Sequence, residues 1–299
     1  MNQREHETQG KPGKPIGDGA EKWDLILHSH APWFDFHLAD LWRYRDLIGL
    51  FVRRDFVSLY KQTLLGPLWF ILQPLLTTLA FTVAFGMVAR LPTQGLPMLL
   101  FYMSGNTLWL YFASCLTHTG GTLITNTAIF GKVYFPRMAV PLAVVISLAM
   151  KLGLQLLFFA GIWVFFRMSG SPVCMTWAAW LLPVEVAIMG GLGFGGGLIV
   201  SACTSKYRDL QFLVQFGVQL LMFGTTVIYP LSSIQGHTLR FLVIANPMTA
   251  VIEAFRFGFL GSGMFSWILL GYSAAFAVAA CLIGAVLFTR VERTFMDSV

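Results

Sequence analysis

Two charged side chains, Lys151 and Glu185, stand deep inside otherwise apolar stretches and are the first place to look for chemistry. A catalyst working within a membrane needs several convergent acids, bases or metal ligands, and here such groups are sparse. Wound as helices at 1.5 Å per residue, the two stretches place Glu185 about 12 Å and Lys151 about 22 Å from their outer ends. A direct pair then needs offset helices or a reaching lysine. A structural pair or a snorkelled lysine is the first reading, a pore-facing role the second and catalysis the last.

The remaining reactive types do not add up to a site. His6, His28, His30 and His37 precede the apolar part of the chain, His118 lies near the end of its second apolar run, and His237 is in a loop. His28 and His30 have no carboxylate or thiol beside them to complete a metal site and read as solvated. Cys115, Cys174, Cys203 and Cys281 are scattered, form no CxxC pair and read as small core residues. Gly190, Gly191, Gly193, Gly195, Gly196 and Gly197 sit within an apolar run, and no GxxxxGK[ST] phosphate loop occurs in the sequence. The glycines therefore read as close helix packing. No catalytic residue, metal ligand or resident cofactor is assigned, and any ATP-driven work requires a separate polypeptide.

What must position these residues is a membrane-embedded scaffold. The chain is 56% hydrophobic and 11% charged, against roughly 25% charged for a soluble domain. Its net charge of +6 sits at the ends of apolar runs, where anionic headgroups and the positive-inside bias account for it, so nucleic acid is not an expected partner. The expected class is an all-α integral membrane protein in three parts. Residues 1–37 form a loose polar tail without a secretory apolar core, which keeps the N-terminus cytoplasmic. Residues 38–66 hold an interfacial amphipathic helix, and 67–299 a six-helix transmembrane domain.

The interfacial helix runs from Leu38 to Tyr60, with Leu41, Tyr44, Leu47, Ile48, Phe51, Val52, Phe56 and Leu59 on one arc and Arg43, Asp46, Arg53 and Arg54 opposite. Arg45 and Asp55 intrude on the arc. The six spans are expected near Leu68–Ala89, Pro97–Leu116, Met138–Phe166, Trp177–Ser201, Phe212–Tyr229 and Trp267–Thr289. A seventh candidate, Leu239–Leu260, carries Arg240, Asn246-Pro247, Glu253 and Arg256. These suit a broken re-entrant pair buried in protein better than a lipid-facing span. Six spans keep most Lys and Arg, including Arg290 and Arg293, on the inner side with both termini; a seventh would move that pair outside.

Two inner loops stand out. NTAIFGKVYFP, Asn126 to Pro136, is too apolar for a solvated connection, and SKYRD, Ser205 to Asp209, follows the fourth span. The first loop either docks into a partner or buries itself against the interfacial helix. Aromatic and amide residues that could line a path are Trp69, Gln73, Phe81, Phe85, Trp109, Tyr111, Gln215, Phe216, Gln219, Phe223 and Tyr229. Flat rings stack on sugar faces and amides hydrogen-bond them.

Four long motifs, LWRYRDLIGLFVRRDFVSLYKQTLLGPLWFILQPLL (Leu41 to Leu76), FGKVYFPRMAVPL (Phe130 to Leu142), KYRDL (Lys206 to Leu210) and NPMTAVIEAFRFGFLG (Asn246 to Gly261), carry a family likeness. In them the chain resembles the permease subunits of ABC-2-type polysaccharide exporters, most closely O-antigen permeases of the Wzm type, with teichoic acid and capsular polysaccharide permeases as relatives. Glu185 stands outside the likeness.

The resemblance implies a homodimer with a channel lined by the first and fifth spans, here Trp69, Gln73, Phe81, Phe85, Phe216, Gln219, Phe223 and Tyr229. It implies coupling to two ATP-binding cassette subunits, which hold the ATP and Mg, through Asn126, Lys132, Val133, Tyr134, Phe135, Pro136 and Arg137 and through Tyr207, Arg208 and Asp209. Asn246, Pro247, Glu253 and Arg256 belong to the helices closing the outer mouth. The substrate that the resemblance implies is a lipid-linked polysaccharide crossing the bacterial inner membrane. Arg53, Arg54 and Lys61 either meet the carrier's pyrophosphate or act as ordinary positive-inside anchors. Rival classes are a membrane-embedded glycan transferase, which calls for an acid/base pair or Asp-rich loop that the sequence lacks, and a passive channel, which needs no ATPase.

Overall fold

The computed structural model describes residues 38–58, 65–130 and 135–296, and these are helical with short connections. In order they form α1 (Leu38–Arg43), α2 (Arg45–Ser58), α3 (Trp69–Phe81), α4 (Met98–Gly120), α5 (Thr122–Thr125), α6 (Thr127–Phe130), α7 (Ala139–Met168), α8 (Leu182–Thr204), α9 (Leu210–Phe223), α10 (His237–Ala245), α11 (Pro247–Leu260) and α12 (Trp267–Met296). Among the described residues four helical stretches are long and apolar enough to cross a bilayer: Gly66–Val88, Ala139–Met168, Trp177–Thr204 and Trp267–Val291. Their outward faces carry exposed Leu79, Val83, Leu157, Phe165, Trp180, Ile268 and Leu282, a rind suited to hydrocarbon.

The other two expected spans differ from these in instructive ways. The helix α4 has 23 residues, length enough to cross, but it is the interior post of the bundle and buries Ser104, Asn106, Thr107 and Thr119. Polar side chains of this kind are tolerated where neighbouring helices supply partners. The helix α9 is a shorter apolar helix of 14 residues, because Gly224 and the Thr225–Ile228 stretch leave helical geometry before Pro230. Of its residues only Val218 is buried.

The glycine run explains how three helices share so small a volume. A Cβ at Gly193 would lie 2.5 Å from Cys115 Cβ, and one at Gly197 2.5 Å from Thr119 Cβ, both on α4. On the opposite face of α8, a Cβ at Gly195 would meet the Ala280 backbone of α12 at 2.5 Å, and one at Gly284 the Gly195 carbonyl at 2.5 Å. Here α8 lies backbone to backbone between α4 and α12, and hydrogen bonds from Thr204 Oγ1 to the Gly120 carbonyl (3.1 Å) and Cys281 Sγ to the Gly191 carbonyl (3.2 Å) tie the layers.

The helix α3 is marked by Pro74. Proline lacks the amide that would pair with the carbonyl four residues earlier, and Gln155 on α7 supplies the missing donor to the Phe70 carbonyl at 3.1 Å. Asn106 of α4 meets the Pro74 carbonyl (3.3 Å) and Thr78 Oγ1 (3.1 Å). Beyond Phe81 the helix widens into a π-helical turn over Thr82–Val88.

Candidate transport path and coupling face

The apolar arc expected on the N-terminal helix is present as far as Ser58, with a break at Tyr44 between α1 and α2, and Leu59 and Tyr60 fall outside the described residues. Ile48 is buried, and Leu41, Tyr44, Leu47, Phe51 and Val52 pack with it against Phe130, Phe135, Ala139, Val140, Leu198 and Phe288. The rings of Phe51 and Phe135 stand 5.6 Å apart and those of Phe130 and Phe135 5.8 Å. Phe135 is thus no projecting docking side chain: its ring is buried beneath the interfacial helix, because that helix offers the nearest apolar surface. Of the other expected coupling residues, Asn126, Pro136 and Arg137 are half-buried and Tyr207, Arg208 and Asp209 exposed. Arg137 lies over the Phe130 ring at 5.7 Å. Lys132, Val133 and Tyr134 fall outside the described residues.

On the polar side of α2, Arg53 and Arg54 are exposed. Arg54 lies over the Phe51 ring at 4.9 Å and pairs with Asp55 at 2.8 Å, which accounts for the acid intruding on the arc. Lys61 falls outside the described residues.

The expected path residues separate into two groups. Trp69 and Gln73 on α3 and Phe216, Gln219 and Phe223 on α9 are exposed, as is Gln215. Phe81 and Phe85 are half-buried with their rings 5.6 Å apart, and Tyr229 is half-buried with its hydroxyl donating to the Phe223 carbonyl at 2.8 Å. Trp109 and Tyr111 are core residues of α4, packed inside the protomer and not on any open face.

The expected seventh stretch is two helices, α10 and α11, meeting at 88°. Asn246 makes the corner. Its side chain accepts from the Met248 amide at 3.1 Å and donates to the Gly224 carbonyl at 3.2 Å, while Pro247 occupies the first turn, where its missing amide costs nothing. Ser273 and Tyr272 of α12 donate to the carbonyls of Pro247 and Ala245 at 2.6 and 2.9 Å, and Trp163 of α7 to that of Phe259 at 2.6 Å.

Glu253 and Arg256 do not face open space. Arg256 is fully buried on α11 and donates to the Thr226 carbonyl, the Val227 carbonyl (2.9 Å), Ser104 Oγ (3.2 Å) and the Phe101 carbonyl (3.4 Å). Its guanidinium lies 3.8 Å above the Phe101 ring. Glu253 pairs with it at 3.4 Å and accepts from the Met264 amide at 3.1 Å. Five acceptors and one aromatic ring thus converge on one cation, and sequence periodicity carried no sign of it. Among the described residues no ion pair joins Lys151 and Glu185. Both Glu185 oxygens are buried without a hydrogen-bond partner, and Lys151 lies 5.4 Å from the Phe70 ring.

A bundle with these apolar crossings and an apolar outer rind is that of a multi-pass integral membrane protein. More narrowly, the chain belongs to the ABC-2 type transporter family, which it matches over residues 46–260. Membership makes it a transmembrane permease subunit and not itself an enzyme. It is 30% identical to the O-antigen export system permease protein RfbA of Myxococcus xanthus over 73% of this chain and 82% of that one. With the protein of the same description from Klebsiella pneumoniae it shares 26% over 84% and 94%. With the polysialic acid transport protein KpsM of Escherichia coli it shares 21% over 82% and 93%.

Proposed function

We propose that this chain is the membrane subunit of an ATP-driven exporter that moves a lipid-linked polysaccharide of the O-antigen type from the cytoplasm across the bacterial inner membrane. Two copies form the channel, each with six spans and cytoplasmic termini, and two ATP-binding cassette subunits dock at the inner face. The observation that carries the reading is the pairing of likeness to O-antigen permeases over 73–84% of this chain with exposed rings and amides on α3 and α9. Where the exposed faces of α7 and α12 are almost wholly apolar, α3 and α9 leave the rings and amides of Trp69, Gln73, Gln215, Phe216, Gln219 and Phe223 exposed. A second copy set against that face makes a passage whose walls suit sugars, with α10 and α11 as a re-entrant pair closing its outer mouth.

Asn126 to Arg137 and Tyr207 to Asp209 transmit the stroke of the ATPase, and Arg53, Arg54 and Lys61 meet the carrier phosphate at the inner surface. The likeness to KpsM supports export of a capsular polymer as the second reading.

The test is coexpression with an ATP-binding cassette subunit of the polysaccharide-export class, followed by copurification and cysteine crosslinking at Phe216. A 2:2 complex, and a crosslink between two copies of the permease, are expected. Absence of any association with the ATP-binding subunit would sink the proposal.

A further inference from the structure

Resting on that reading, a small polar pocket between membrane-crossing helices bears on where a lipid-borne anionic group is held. The pocket, of about 40 Å³, lies between α3, α4 and α7 and is walled by Gln73, Ser114, Lys151 and Gln155 among apolar neighbours. A cavity needs only about 10–15 Å³ of such space to hold one water, so this one is roomy enough for a small polar group.

Its chemistry is one-sided. Lys151 is the only ionisable cation or acid among the lining residues, apart from the phenol of Tyr111, and its described contact is the face of Phe70. A cation at membrane depth without a counter-ion is costly, and a bound anion removes that cost. Hydrogen-bond donors surround it. Gln155 uses one amide hydrogen on the Phe70 carbonyl and has a second to give, and Gln73 and Ser114 add an amide and a hydroxyl. No carboxylate lines the pocket to repel an anion.

The position suits a group that enters from the inner leaflet. Lys151 stands about 18 Å along α7 from its first residue at 1.5 Å per residue, and Phe56 of the interfacial helix packs on Phe70 below it, ring centres 5.9 Å apart. Gln73, at the pocket's edge, is exposed on the same face of α3 as Trp69, while Tyr111, Leu152 and Gln155 form its buried side.

We propose that this pocket is a membrane-buried subsite for one lipid-borne phosphate group, with Lys151 supplying the charge and Gln73, Ser114 and Gln155 the donors. Two lipids can bring that chemistry: the polyprenyl carrier of a glycan, or an anionic phospholipid.

The test uses the full chain in phosphatidylcholine nanodiscs, with a polyprenyl diphosphate or phosphatidylglycerol added and retention read by native mass spectrometry. Wild type is expected to retain one of them, Lys151→Arg to do so within a few fold, and Lys151→Gln to lose about tenfold or more, the scale of one charge-assisted hydrogen bond. Preference for the diphosphate identifies the carrier as the source, and preference for phosphatidylglycerol identifies the bulk lipid. Should Lys151→Gln fail to fold, Ser114→Ala and Gln73→Leu on the rim are each expected to weaken retention several fold.

Equal retention by wild type and every variant overturns the subsite, as does no retention of either lipid by wild type. Copurification of Lys151→Gln with the ATP-binding subunit separates the two claims. If the complex forms and retention is unchanged, the subsite falls while the exporter reading stands; if even wild type forms no complex, the exporter reading falls on its own test.

Discussion

Gln155 Nε2 on α7 donates to the carbonyl of Phe70 on α3 at 3.1 Å, and that carbonyl is the one Pro74 leaves without an intrahelical partner. The proline and the glutamine are two halves of one device. Either alone is a liability in a membrane, one orphaning an acceptor and the other burying an amide. Together they fasten α3 to α7 at the level where α3 turns its exposed face outward.

A double-mutant cycle tests the pairing. Gln155→Leu is expected to cost about 1–3 kcal/mol in the wild-type background, the price of a buried unsatisfied acceptor. In Pro74→Ala, an amide is restored at position 74 and the cost should fall below about 1 kcal/mol. Chemical unfolding in detergent reads both. An identical loss in the two backgrounds would mean that Gln155 serves something other than the proline's orphan.

Arg256 carries the second prediction. Arg256→Met strips a fully buried cation from Glu253 and from the carbonyls of Thr226 and Val227. Breaking one side of such a pair costs about 3–5 kcal/mol. Arg256→Lys keeps the charge but cannot reproduce the planar fork, and is expected to recover only part of that loss. Thermal unfolding ranks the three forms, and faster proteolysis within 224–236 should accompany the drop. Unchanged stability in Arg256→Met would refute the central role given to this cation.

The sequence announced some of this and hid the rest for definable reasons. Local signals were legible: the apolar arc around Ile48, the Asn246-Pro247 corner, and the glycines of α8 with their close neighbours. Long-range partnerships were not, since nothing near Arg256 in sequence marks the carbonyls of Thr226 and Val227, thirty and twenty-nine positions earlier, as its acceptors. Apolarity also misplaced two residues. Trp109 and Tyr111 look like path-lining aromatics, but α4 is the buried post and turns them into the core. For Phe135 the loop alone left outward docking and burial against the interfacial helix both open, and Phe51 and Phe130 enclosing it decide for burial.

Glycines with and without neighbours make a matched pair of tests. Gly195→Ala would set a methyl 2.5 Å from the Ala280 backbone, so α8 and α12 must separate, at a cost of about 1–3 kcal/mol. Gly153→Ala on α7 meets nothing within 4 Å and should stabilise by about 0.5–1 kcal/mol, the usual gain for removing a helix-interior glycine. Opposite signs in thermal unfolding are expected. A loss at Gly153 equal to that at Gly195 would show that helix packing does not govern the run.

The ring cluster of Phe51, Phe130 and Phe135 joins the interfacial helix to the segment leading into α7, so displacement of one element should carry the other. Phe51→Ala and Phe135→Ala each remove one side of the same contact, and the double variant should be less destabilised than the sum by about 0.5–1.5 kcal/mol. In complex with an ATP-binding subunit, the same contact is the proposed route of the stroke. Phe135→Ala should therefore preserve assembly and ATP hydrolysis while lowering export severalfold, whereas Leu50→Ala, exposed on α2 away from the cluster, should leave export unchanged. Export at the wild-type rate in a folded, assembled Phe135→Ala complex would remove the ring cluster from the route, and the exposed residues Tyr207, Arg208 and Asp209 would be left to carry it.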